Sequence, residues 1–362
     1  MSRLADLIAQ LCPDGVEYKP LSECVVLPSI PRGLKRGQYE SSGTYPIVDQ
    51  GRGQVAGYSS DETKLVKDIP GIVFGDHTRE IKYVDHFFVP GADGVKWIRA
   101  VDDVDIRYLF HSLSSLAIPS RGYNRHWNVV REMSIPVPPL EVQREIVRIL
   151  DQFTTLEAEL EAELEARRAQ YEYYRNQLLS YDSIVARCSD EVKYRSLGDL
   201  IRIRNGRDYK MLSSGTVPVY GSGGVMTYVS EAIGVGPTVL IPRKGSLDNI
   251  FFVEGPFWTV DTIFYTEIGS EIEPKYLYYN LKKMRLSQMN EAAGVPSMNQ
   301  RKLNRIQIPL PSIEEQRHIV DVLDRFDAMV NDISSGLPAE IAARRAQYEY
   351  YRDRLLSFPE KK

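Results

Sequence analysis

The chain has 362 residues, of which 43 % are hydrophobic and 26 % charged, and its formal net charge is −4. This is an ordinary globular composition with room for two domains and connecting helices, and no apolar run reaches membrane-spanning length. Three widely spaced cysteines, Cys12, Cys24 and Cys188, argue against a disulfide or zinc framework. The opening MSRLADLIAQLCPDG lacks the apolar core and cleavage site of a signal peptide, so a reducing cytoplasm is the expected location.

The charge is unevenly spread. Two long helical stretches carry −6 between them, and the rest of the chain carries +2. Overall acidity therefore does not exclude a basic patch for nucleic acid, although it argues against strong unspecific binding by this chain alone.

Taken in order, the chain repeats itself, and the repeat dictates the architecture. VEYKPLSE from Val16 returns as VKYRSLGD from Val192, and Cys12 and Cys188 fall at the same 176-residue shift. PIVDQGRGQVAGY from Pro46 is echoed by PVYGSGGVMTY from Pro218. GIVFGDHTREIKYVDHFFV and TVLIPRKGSLDNIFFV each read as apolar strand, charged loop, apolar strand. Short helices are predicted at 106–116 and 274–284, each followed by a polar loop.

Two long helices are predicted at 139–180 and 312–357. They open on PVPPLEVQREIVRILDQF and PLPSIEEQRHIVDVLDRF, and both end on the decapeptide ARRAQYEYYR, at 166–175 and 343–352. In the first copy Ile146, Leu150, Phe153, Leu156, Leu160, Leu164, Tyr171, Tyr174 and Leu178 form one apolar stripe at steps of mostly three and four. The run LEAELEAELEA is almost entirely strong helix formers. In the second copy Ser312 and Glu315 fit a capping box, and SSGLP at 334–338 should kink or break the helix. A helix of about 40 residues is about 60 Å long and does not bury such a stripe alone. The two copies are therefore expected to pack as an antiparallel coiled coil. The predicted fold is α/β or α+β: globular domains at 1–135 and 181–308, long helices at 136–180 and 309–358, and a pseudo-twofold internal repeat.

The paired PxPxxxxQRxIVxxLDxF starts, the duplicated RRAQYEYYRxxLLS ends and the segments between them resemble the specificity subunit of type I restriction-modification systems. The LEAE run and the ending GLPAEIAARRAQYEYYRDRLLSFP most resemble the type IC branch. FGDHTREIKYVDHFFVPGADGVK, 74–96, resembles one version of that family's target-recognition domain. The resemblance covers nearly the whole chain. It implies a non-catalytic subunit whose two recognition domains each read half of a bipartite double-stranded DNA site. It implies that the helices act as spacer and dock two copies of an adenine-N6 methyltransferase subunit, with up to two motor-nuclease subunits joining. S-adenosylmethionine, ATP and magnesium would then belong to those partners, and this chain would bind no cofactor and no metal. Two related but divergent domains suit two different half-sites, and identical decapeptides suit two copies of one partner.

Reading bases takes Arg, Lys, Asn or Gln on loops that reach groove edges. In the first domain the candidates are Gln50, Arg52, Gln54, His77, Thr78, Arg79, Lys82, Arg121, Tyr123, Asn124, Arg125 and His126. In the second they are Arg204, Asn205, Arg207, Lys210, Arg243, Lys244, Ser246, Asn299, Gln300, Arg301 and Lys302. Any one of these is as easily a phosphate contact or plain surface. The candidates for partner docking are Arg167, Arg168, Tyr171, Tyr173, Tyr174 and Arg175, with Arg344, Arg345, Tyr348, Tyr350, Tyr351 and Arg352 in the second copy. Coiled-coil packing and local Glu pairs compete for the same residues. The LEAE run reads either as helical filler or as a ruler for half-site spacing.

Two other functions compete. One is a rod-like interaction scaffold that never touches DNA. The other is a nuclease built on Asp68, Glu80 and Lys82, but Asp68 lacks a preceding proline and the second half has no equivalent. No phosphate loop, dinucleotide fingerprint or methyltransferase Asn-Pro-Pro-Tyr stretch is present, and the five histidines show no metal-ligand spacing.

Overall fold

The computed structural model describes residues 3–91, 93–122, 124–188, 191–290, 294–331 and 336–361. The chain divides into two compact units, Met1–Leu160 with Ile341–Lys362, and Glu161–Glu340.

In the first unit, helix α1 (Arg3–Leu11) precedes strand β1 (Tyr18–Pro20). Strands β2 (Val25–Val26), β5 (Gly71–Gly75), β6 (Ile81–Val84) and β8 (Val95–Ala100) form an antiparallel sheet in the order β2-β8-β5-β6. All five residues of β5, GIVFG, are buried, as the apolar run of a central strand requires. Strands β3 (Tyr45–Val48), β4 (Gly57–Ser59) and β7 (Val89–Pro90) form a second sheet in the order β4-β3-β7, with β3 and β7 parallel. Helix α2 (Ile106–Ser115) is N-capped by Asp105, whose carboxylate accepts from two backbone N–H groups. The short helix α3 (Trp127–Val130) leads into β9 (Ser134–Pro136), which closes against β1.

Helix α4 (Leu140–Leu178) runs unbroken for 39 residues. Its Val142, Ile146 and Leu150 are fully buried in the first core, together with Tyr108, Leu109 and Trp127. Leu356 and Phe358 join that core from just beyond helix α9 (Gly336–Leu355). Phe153 stacks on Tyr351 at 5.4 Å and Glu157 pairs with Arg345. One number rises as the other falls, so α4 and α9 are antiparallel here.

The second unit repeats this plan. Helix α5 (Tyr181–Arg187) precedes β10 (Lys193–Ser196), which pairs with β19 (Gln307–Leu310). Strands β11 (Ile201–Asn205), β15 (Thr238–Pro242), β16 (Phe251–Val253) and β18 (Ile263–Ile268) are ordered β11-β18-β15-β16. Strands β12 (Ser214–Gly221), β13 (Gly224–Val229), β14 (Gly234–Val235) and β17 (Pro256–Thr259) are ordered β13-β12-β17-β14, with β12 and β17 parallel. Helix α6 (Pro274–Met284) stands where α2 stands in the first unit, and α7 (Gln300–Asn304) follows. In this unit the end of α4 packs antiparallel against α8 (Ile313–Asn331): Tyr174 stacks on Phe326 at 6.0 Å, and Tyr171 lies beside Asp327.

The predicted two-domain repeat with paired antiparallel helices is thus the observed architecture. The predicted start of the second long helix is found as well, with Ser312 Oγ accepting from Glu315 N at 3.4 Å. Its described parts are α8 and α9, and Gly336, which begins α9, has φ +72. Of the SSGLP interruption, Ser334 and Ser335 lie outside the described residues.

The repeat has a physical core of its own. Gln143, fully buried, donates Nε2 to Pro138 O (2.7 Å) and Asp103 O (2.9 Å), and Asp105 N donates to its Oε1 at 2.8 Å. Gln316, also fully buried, donates to Pro311 O (2.9 Å) and Glu271 O (3.0 Å) and accepts from Glu273 N at 2.8 Å. Each glutamine clamps the start of a long helix to the start of the short one, through Asp105 N in the first unit and Glu273 N in the second. Below it, Arg107 and His111 meet Asp151 at 2.9 and 3.0 Å, and His111 Nδ1 meets the Tyr348 hydroxyl at 2.9 Å. In the second unit Lys275 and Tyr279 meet Asp324 at 2.7 and 2.6 Å. Buried polar groups persist when fully partnered, and here the same geometry is built from different residues.

Candidate nucleic-acid interface

In the first unit three loops far apart in sequence are tied into one cluster. The Thr78 hydroxyl donates to Gln50 O at 2.6 Å, and His77 N donates to Gln50 Oε1 at 3.2 Å. The Gln50 amide also donates to Asp93 O at 2.9 Å. The Arg79 guanidinium donates to Ile118 O at 2.9 Å, and Trp127 N donates to Asp76 Oδ1 at 2.8 Å. Thus the loops at 50–54, 76–80 and 118–127 meet. Gly75 makes this possible: a Cβ there would come within 2.3 Å of Thr78 Oγ1 and 2.8 Å of Gln50 Cβ. Arg79 has φ +67, a costly backbone conformation for a side-chain-bearing residue and one that clusters at functional sites.

Two expected DNA contacts are placed otherwise. Lys82 is 2 % exposed and donates Nζ to Asp49 O (2.7 Å) and Gly53 O (2.5 Å), so it holds the 50–54 loop from beneath. Burial lowers its pKa. His126 is 1 % exposed; its Nδ1 lies 2.9 Å from Asp76 O, and its Nε2 accepts from Arg121 N at 3.1 Å. Both residues shape the surface from inside. Arg52, Gln54, Thr78, Arg79, Arg121, Asn124 and Arg125 are exposed, while Gln50 and His77 are partly buried. Tyr123 lies outside the described residues.

The second unit gathers its loops in the same way. Met298 N donates to Arg243 O at 2.9 Å, the counterpart of His126 N donating to Asp76 O at 2.8 Å. Gly245 N donates to Pro296 O at 2.9 Å, and Gln300 Nε2 donates to Asn205 Oδ1 at 3.3 Å. Asn299 caps α7 through Lys302 N at 2.8 Å, and Lys302 Nζ donates to Met289 O. Arg204 is engaged bidentately by Glu267 at 2.9 and 3.0 Å, which raises the guanidinium pKa and lowers that of the carboxyl. Arg207, Lys210, Lys244, Ser246 and Arg301 are exposed, and Arg243 lies 5.7 Å from the Phe264 ring. Such a surface offers anchored and exposed donors together, as groove edges and phosphates require.

The repeat itself points to two further segments. The 50–54 loop joins β3 to β4, so its counterpart is the turn 221–224 between β12 and β13, which Asn249 Nδ2 ties to the neighbouring loop through Ser222 O at 3.0 Å. Conversely, Gly206–Lys210 follows β11, whose counterpart β2 is followed by exposed Arg32, Lys35 and Arg36. Leu34 N, bonded to Pro90 O at 2.9 Å, fixes that segment.

The nuclease constellation does not assemble, because Lys82 is committed to loop carbonyls and Asp68 pairs with Arg99 at 3.2 Å. No metal-holding cluster of His, Cys, Asp and Glu occurs among the described residues, and no described helix is long and apolar enough to cross a membrane.

On the helices the decapeptide residues separate by burial. Tyr171 (4 % exposed) and Arg175 (6 %) are packed inside, and Tyr348 is half-buried against the first core, its pKa raised by burial. Tyr173 and Tyr350 are 61 % and 58 % exposed, and their neighbours Tyr174 and Tyr351 are 40 % and 38 % exposed. Arg167 and Arg168 pair with Glu163 and Glu165, and Arg344 donates to Gln347 at 3.1 Å. Arg345 pairs with Glu157, and Arg352 with Asp353.

Comparison with known proteins converges on one group. The type I restriction modification DNA specificity domain matches twice, at residues 13–166 and 189–343. The specificity subunit of the type I restriction enzymes EcoR124I and EcoR124II from Escherichia coli is 32 % identical, over 99 % of this chain and 98 % of the relative. The crystal structure of a type I restriction-modification S subunit from M. genitalium aligns at TM-score 0.60 and 19 % identity, covering 94 % of this chain and 96 % of that one. A chain from a structural study of type I complex assembly and conformational transition aligns at 0.56 and 17 %, covering 96 % and 98 %.

Proposed function

The chain belongs to the type I restriction-modification DNA specificity subunits, and we propose that it reads a bipartite DNA site, one half-site per recognition domain. The domains are taken as 1–135 and 181–308, with the spacer helices at 136–180 and 309–358. The observation that carries this reading is the twofold occurrence of one construction. In each unit, three or more sequence-distant polar loops are hydrogen-bonded into a single exposed patch, with different side chains on it. The same scaffold with different readers is what two unlike half-sites require. Arg52, Arg79, Arg121 and Arg125 would make direct contacts in the first unit; Arg207, Lys210, Lys244 and Arg301 would do so in the second. A rod-like scaffold has no need of such patches and is not favoured.

The chain itself is non-catalytic. It would direct adenine-N6 methylation by two methyltransferase subunits docked on the helices, with up to two motor-nuclease subunits joining, in the cytoplasm. S-adenosylmethionine, ATP and magnesium would be held by those partners. The exposed tyrosine pairs Tyr173–Tyr174 and Tyr350–Tyr351, at equivalent places in the two units, support docking of two copies of one partner.

The test removes readers from one domain. Arg79→Ala and Arg125→Ala together should relax or change one half of the methylated motif and leave the other half untouched. The same change in both halves, or in neither, would contradict the assignment of one half-site per domain.

A further inference from the structure

A pocket of about 450 Å³ in the second unit is lined by residues of α4 and α6, the end of α8 and the 248 and 287 loops, among them Arg168, Arg175, Lys282 and Arg285. Its acids are already engaged. Glu172 pairs with Arg285 at 3.0 Å, and the Asp248 carboxylate accepts from the Ser287 N–H and hydroxyl. Arg168 has Glu165 at 2.9 Å.

Arg175 differs. It is 6 % exposed, its Nε has no hydrogen-bond partner among the described residues, and its guanidinium lies 5.5 Å from the Tyr171 ring. Lys283 stands close by, donating to Leu179 O at 2.9 Å, its pKa lowered by burial and then by the charge of Arg175. A buried cation without an anion is costly to the fold.

The repeat shows what is missing. Arg175 corresponds to Arg352, and there the next residue, Asp353, accepts from the guanidinium at 3.0 and 2.8 Å. The residue that follows Arg175 is Asn176, which has no charge to offer. One copy of the decapeptide carries its own carboxylate; the other presents the same cation at an open pocket.

We propose that this pocket receives an Asp or Glu side chain from the protein that docks on the helix, with Arg175 as the receiving residue. The planar guanidinium fork suits a carboxylate bidentately, and exposed Tyr173 and Tyr174 extend the surface alongside. The inference rests on the reading of the helices as the docking surface for the methyltransferase subunit, and it makes the two docking sites unequal: only the copy on the second unit inserts an acid.

The experiment titrates the full chain and its variants with purified methyltransferase subunit at fixed salt. Arg175→Gln should weaken one of the binding events about tenfold or more. Asn176→Asp should do the same by supplying the carboxylate internally, while raising the melting temperature of the free chain and so proving it folded. Unchanged affinity in Asn176→Asp, or in a folded Arg175→Gln, overturns the pocket. If Tyr173→Ala still weakens binding in that case, helix docking survives; if it too has no effect, helix docking falls as well. Intact subunit affinity in Arg175→Gln, together with weaker DNA binding and a shallower salt dependence of the assembled complex, would assign the pocket to a DNA phosphate and overturn the proposal.

Discussion

The buried glutamine clamp gives the account a quantitative test. Gln143→Ala removes three hydrogen bonds at once, to Pro138 O, Asp103 O and Asp105 N. Each backbone group left buried and unpaired costs ~1–3 kcal/mol. Water reaching some of them trims the sum, so the expected loss is about 3 kcal/mol. For a unit of this size that is a fall of roughly 6–12 °C in melting temperature. Gln316→Ala breaks three bonds of the same kind and should cost the second unit about as much. Calorimetry on each variant reads the shift. Gln143→Glu sets a buried carboxylate against two carbonyl oxygens, so it should cost at least as much as Ala. Shifts below about 2 °C for both Ala variants would refute the view that this side chain pins the helix start.

Other predictions concern single groups and the spacer. Burial lowers the pKa of His111, so the stability it contributes is present above its ordinary value of 6.5 and is lost as pH falls through the folded value. Melting of the first unit between pH 7.5 and 5.5 should therefore slope downward, and His111→Gln should flatten that slope; an unchanged slope would show that another group titrates. Lys82→Met leaves Asp49 O and Gly53 O without their donor, so DNA affinity of the assembled complex should fall although Lys82 is buried. Native affinity in a folded Lys82→Met complex would show that the 50–54 loop takes no part. One added LEAE unit lengthens α4 by about 6 Å, close to two base pairs at about 3.4 Å each, so the gap between half-sites should widen by one or two. An unchanged gap would leave the run as helical filler.

Much of the architecture was legible in the sequence because the repeat is legible. Equal spacing of VEYKPLSE and VKYRSLGD, and the doubled decapeptide, place equivalent elements in two units before any packing is known. The helices at 106–115 and 274–284 could be read from their apolar spacing. Side-chain roles were harder, because identity does not reveal burial. Lys82 and His126 look like surface readers in a polar loop, yet each is folded under the loop it belongs to. Tyr171 and Tyr173 are the easier case: helical spacing alone sets them on different faces, and the first is buried and the second exposed. The Gln of each Gln-Arg pair gave no hint of its clamp, since the carbonyls it binds come from a turn near 103 or 271 as well as from its own helix start. The segment bearing Arg32, Lys35 and Arg36 was missed because it has no obvious echo in the second half, although alignment of β2 with β11 exposes it.

The most direct test of DNA reading is a map of N6-methyladenine across the genome of a host that otherwise lacks the modification, after expression of this chain with its methyltransferase subunit. Half-site reading by each unit predicts one split motif: two short, unlike half-sites separated by a fixed run of unspecified bases. Methylation without a motif, or a single unbroken one, would contradict the claim that the two units each read one half of the site.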